Sequence, residues 1–131
     1  MSDETYADRQ LALVQELYKR TKERKINWVG SRYSSSFEAN LGDYLLRISF
    51  RVDNDYLDDP DFFLSVVDVS SEAERHIDTI SNASLRPVMD KTTSDGLNPY
   101  ALLREIYELA RRKVLNVDDT LERVLATLKN A

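Results

Sequence analysis

Apolar side chains recur along this chain with two different periods, and the changes of period divide it into helix, sheet and helix. From Tyr6 to Lys25, Leu11, Val14 and Tyr18 fall on one line and Leu13, Leu17 and Thr21 on the next, which makes a single helical stripe. Lys19, Arg20, Lys22, Arg24 and Lys25 close it, as suits the negative end of a helix dipole. Ile26 and Trp28 follow, and the large indole suits an anchor between this helix and the next layer. A period of two then takes over. Phe37, Ala39 and Leu41 alternate with polar residues, as do Tyr44, Leu46, Ile48, Phe50 and Val52, with Arg47, Ser49 and Arg51 on the opposite face. Gly42-Asp43 between the two runs fits a tight antiparallel hairpin.

Asp53 to Asp61 reads as a turn, and Phe62 to Val69 as a strand whose more continuous apolar run places it centrally. Ser70 to Leu85 supports two readings. Ser71 and Glu74 could form a capping box that opens a helix through Ala73, Ile77 and Ile80. Alternatively, Ser70 to Glu74 is a hairpin loop and Arg75 to Ser81 a fourth strand. The strand is preferred, because three strands leave little sheet for three helices to cover. Ser84 to Gly96, with Pro87, is a loop and the best candidate for a mobile one.

Asn98-Pro99 then opens a helix as N-cap and first helical residue. Its stripe is Leu102, Leu103, Ile106, Tyr107, Leu109, Ala110 and Val114. Asn116 breaks it, and Asp118 or Asp119 starts a last helix carrying Leu121, Val124, Leu125 and Leu128. The pattern predicts one α+β domain over residues 1–131. It consists of an N-terminal helix, an antiparallel meander of three to four strands, and two C-terminal helices packed on one face of the sheet.

Composition narrows the function classes. A chain of 131 residues, 42% hydrophobic and 31% charged, is long enough to bury a core unaided. Its net charge of −5 works against nucleic acid and anionic membranes as default partners. Cysteine is absent, which removes disulfides, thiolate metal sites and a thiol nucleophile, and fits a reducing compartment. The acidic start Met1-Ser2-Asp3-Glu4 lacks a secretory pattern, and the longest apolar run, Leu11 to Val14, is far short of the roughly 20 residues that span a bilayer. A cytoplasmic location is expected.

Candidate chemistry is sparse. Asp53, Asp55, Asp58, Asp59 and Asp61 place five carboxylates in nine residues, enough in principle for a hard cation. However, the loop has no glycine and no distal glutamate in the EF-hand register, and the plainer reading is a solvated turn. His76 is the sole histidine, with Asp78 nearby, but no serine lies in a nucleophile elbow. Gly30, Gly42 and Gly96 are isolated, so no glycine-rich phosphate loop exists. Two basic patches remain: Lys19 to Lys25, including Arg20 and Arg24, and Arg111-Arg112-Lys113 with Arg104 upstream. Side by side, they could hold an acidic partner or a phosphate chain; separately, they are dipole-complementing charges, with Arg111 or Arg112 paired to Glu105, Glu108 or Asp118. Tyr33, Tyr44, Tyr56 and Tyr100 are not interleaved with either patch, which counts against single-stranded nucleic acid.

The run Leu103-x-x-Ile106-Tyr107-x-x-Ala110-Arg111-Arg112-x-x-Leu115-x-Val117-Asp118-x-x-Leu121-x-x-Val124-Leu125-x-x-Leu128 resembles the C-terminal signature of a family of small bacterial proteins of unknown function, also found as a module in longer bacterial proteins. Leu17-Tyr18-Lys19-Arg20, Ile26-x-Trp28 and Gly42-Asp43-Tyr44 extend the resemblance forward, whereas the insertion-like stretch Ser84 to Gly96 departs from it. The resemblance implies an adaptor-like module and supplies no catalytic residue. By the residues themselves, Tyr107 packs with its hydroxyl near the rim, Ala110 permits close helix approach and Asp118 caps the last helix.

The expected function is therefore a non-enzymatic protein–protein interaction module of a bacterial cytoplasm, without cofactor or metal. Its partner is another protein or a second copy of the chain, and Lys19, Arg20, Arg24, Arg104, Arg111 and Arg112 are the candidate contact residues. Two alternatives stand beside it. One is a small acidic secretion-chaperone or immunity-type protein; the other is a small-molecule binder or enzyme using the Asp53 to Asp61 loop, with Ser84 to Gly96 as a lid.

Overall fold

The structure, a computed structural model, describes residues 5–32, 35–51 and 61–131. Helix α1 (Tyr6–Lys22) opens on a capping box: Thr5 Oγ1 accepts from the Asp8 N–H at 3.1 Å, while the Asp8 carboxylate accepts from the Thr5 N–H at 3.0 Å. A five-stranded antiparallel sheet follows in chain order, with β1 (Val29–Gly30), β2 (Ser36–Leu41), β3 (Tyr44–Arg51), β4 (Asp61–Asp68) and β5 (Arg75–Ser81). Helices α2 (Pro99–Leu115) and α3 (Val117–Lys129) complete the chain. The expected α+β class and order of elements are observed, with five strands rather than three to four. The additional strand is β1, whose two residues are too short to carry an alternating pattern.

Each connection has a local cause. Gly42 takes the positive φ of 65° that the two-residue turn between Leu41 and Tyr44 requires. Arg75–Ser81 is a strand, as preferred over the helix reading, and pairs with β4 across a bulge that leaves Ile77 unpaired and exposed. Between Ser84 and Gly96 the expected loop contains one short 3-10 turn, Arg86–Val88, and Leu85 and Val88 are buried in the core. Asn98 caps α2 by accepting from the Ala101 N–H at 2.8 Å, and Pro99 takes the first helical position.

The core lies between one face of the sheet and α1 with α2. Val14, Leu17, Ile48, Leu64, Ile80, Leu102, Leu103 and Ile106 are among its buried members. Ala110 is fully buried, consistent with close helix approach. Phe37, Phe50 and Phe62 ring Tyr107, with centroids 5.1–5.5 Å away. The other face of the sheet is largely polar, as the alternation predicts: Arg47 Nε donates to Glu38 Oε2 at 2.6 Å, and the Arg51 guanidinium sits over Phe63. Helix α3 stands apart from this core. None of its residues is buried, and of the other elements it makes substantial contact only with α2. Asp118, expected to cap it, lies inside its first turn; Asn116, at φ 53°, is the junction, and its side chain makes no cap bond.

Candidate functional site

Helices α1 and α2 pack side by side with their C-terminal ends together, where Lys113 reaches Ile26 and Asn27. Their last turns are basic, Lys19, Arg20 and Lys22 on α1 and Arg112 and Lys113 on α2. Lys22, Arg24, Arg112 and Lys113 therefore line one cleft of about 430 Å³, together with Thr21, Ile26, Trp28, Leu109, Asn116 and Asp118. Two runs nearly ninety positions apart in sequence thus meet in space. Arg24 is placed by its own backbone: its φ of 62° turns the chain sharply after α1, and its N–H donates to the Thr21 carbonyl at 3.0 Å. Lys113 Nζ donates to Asn27 Oδ1 at 2.8 Å and to the Ile26 carbonyl at 3.3 Å, which ties α2 to the segment after α1. The floor is apolar. Trp28 is only 2% exposed, and its indole N–H donates to Thr21 Oγ1 at 3.2 Å.

The other candidate contact residues are distributed elsewhere. Arg20 pairs with Glu16 at 2.9 Å beside an apolar groove formed with Leu13, Leu17, Leu41 and Tyr44. Arg111 pairs with Glu108 at 3.2 Å, one of the partners expected for it. Arg104 sits over the Tyr100 ring, and Lys19 is exposed on α1 outside the cleft. Sequence reasoning missed Lys22 and Lys113 as individual contact residues, although both belong to the runs it marked. Which of these cations face each other depends on helix pairing, not on either run.

The residues considered for catalysis are held in structural bonds. His76 is exposed, and its Nε2 bonds the Thr79 hydroxyl at 2.7 Å. Asp78 instead accepts from the Tyr6 hydroxyl and from Gln10 Nε2, pinning α1 to β5. Burial pushes the Asp78 carboxyl up, but the bonds from Tyr6, Gln10 and the Thr79 N–H outweigh it and hold the group below its ordinary value. Asp53, Asp55, Asp58 and Asp59 lie outside the described residues; Asp61 accepts from Asn82 Nδ2 at 3.1 Å. Among the described residues, no three histidine or acidic side chains gather as a metal site would require, and no helix is long and apolar enough to cross a membrane. No family model matches the chain, and neither a curated protein nor a solved structure matches it.

Proposed function

We propose that this chain is a non-enzymatic protein-interaction module whose cleft at the ends of α1 and α2 receives an acidic segment of a partner protein. The observation that carries this reading is the convergence of Lys22, Arg24, Arg112 and Lys113 over an apolar floor. Dipole complementation explains a cation in each last turn, but it does not require that the two sets share one cleft. A segment with carboxylates at the rim and an apolar side chain toward Ile26 and Leu109 fits both features. Nucleic acid fits less well: the chain is net negative, and the one aromatic ring at the cleft, Trp28, is too buried to stack on a base. The engagement of His76 and Asp78 in bonds within the fold also favours a binding role over a reaction.

The test is affinity capture from the native host with the wild type and an Arg24→Glu/Arg112→Glu variant. The wild type is expected to retain an acidic partner that elutes with increasing salt, and the charge-reversed protein to lose it while keeping its unfolding midpoint. Equal capture by both proteins, or an enzymatic turnover abolished by His76→Gln, would overturn the reading.

A further inference from the structure

The sheet face turned away from α1 and α2 carries a feature that the cleft does not use. A cavity of about 690 Å³ opens on it, within the range of roughly 300–1,000 Å³ typical of small-ligand sites. Arg32, Arg47 and Arg51 line it, and among the described residues no aspartate or glutamate does. That runs against the balance of the chain, which has 23 acidic residues to 18 basic ones. Strand register accounts for the gathering. Arg47, Ser49 and Arg51 are alternate residues of β3 and so share one face. Ser49 stands opposite Ser36 of β2, and Arg47 opposite Ser65 of β4. Hydroxyls from three strands thus lie among the arginines.

We propose that this cavity binds a small molecule through its phosphate group. Arg47 is held ready for it: Glu38 Oε2 accepts from Nε at 2.6 Å and from Nη2 at 2.5 Å, and both side chains are about one-fifth exposed. A guanidinium fixed in advance leaves little side-chain ordering to oppose binding. Arg51 has no carboxylate partner among the described residues. Its guanidinium lies 5.6 Å from the Phe63 ring centroid, and Asp61, opposite it in the ladder, is engaged by Asn82. Among the described residues the Ser49 and Ser65 hydroxyls make no hydrogen bond, although both line the cavity. Guanidinium forks and hydroxyl donors together suit a phosphate, whose three terminal oxygens accept more bonds than the two of a carboxylate. A single strand of nucleic acid fits less well. The net charge of −5 repels a long polyanion, and Phe63 already lies under Arg51 and offers that face to no base.

Isothermal titration at low salt with phenyl phosphate, succinate and single-stranded oligouridine tests the site. Phenyl phosphate is expected to bind the wild type at one equivalent with a millimolar or tighter Kd, and succinate at least about tenfold more weakly. Arg32→Gln/Arg51→Gln and Ser49→Ala/Ser65→Ala should each weaken phenyl phosphate by at least about tenfold while the ligand-free unfolding midpoint is kept. Arg24→Glu/Arg112→Glu should bind it as the wild type does, so failure of this site and failure of the cleft are read separately. No binding of phenyl phosphate at millimolar concentration, equal binding of succinate, tighter binding of oligouridine, or loss of binding only on charge reversal in the cleft would overturn the proposal.

Discussion

Asp8 completes the capping box of α1 and also accepts from Lys91 Nζ at 2.6 Å, tying the segment before α2 to the first turn of the first helix. The Lys91 ammonium, then the backbone and hydroxyl of Thr5, hold its carboxyl at about 2 against an ordinary value of 3.8. A carboxyl depressed by folding stabilises the protein above its unfolded value, and that contribution disappears as pH falls through the folded one. Asp8→Asn should therefore lower the thermal midpoint at neutral pH, and the gap to the wild type should close progressively between pH 3.8 and about 2. The effect should shrink in high salt, because Lys91 is more than half exposed. Tyr107 gives a second test. Its ring is buried among three phenylalanines, and burial raises its phenol above the ordinary value. Tyr107→Phe should alter stability by less than about 1 kcal/mol in denaturant unfolding, and Tyr107→Ala should cost about 3–5 kcal/mol, because the ring and not the hydroxyl fills the core.

Helices α2 and α3 carry the same apolar periodicity, yet one is half core and the other wholly outside it. Ile106→Ala on α2 should cost about 2–5 kcal/mol of stability. Leu125→Ala on α3 should change it by no more than about 0.5 kcal/mol. This contrast also marks how far the sequence is legible. Period identifies which side of a helix is apolar, so α1, α2, the β2–β3 hairpin and the strand at Arg75–Ser81 could be read from it, the last as a preference over a helix. What covers an apolar stripe is a tertiary question, and the α3 stripe was expected to lie on the sheet along with that of α2. Strand β1 was invisible because two residues have no period, and the Asp118 cap failed because Asn116, in a left-handed conformation, already makes the junction.

At the scale of the whole molecule, one end of the fold gathers what the sequence left scattered. The basic turns of α1 and α2 meet there because the two helices pack side by side with their C-terminal ends together, a consequence of topology that neither run encodes. From that same end α3 departs with its stripe uncovered. The central claim is that α1 and α2 alone seal the sheet, leaving α3 outside the core. Amide hydrogen exchange in dilute solution tests it most directly. Slow exchange is expected in α2, β3 and β4, and fast exchange in α3. Protection of α3 equal to that of α2 in dilute solution would contradict it.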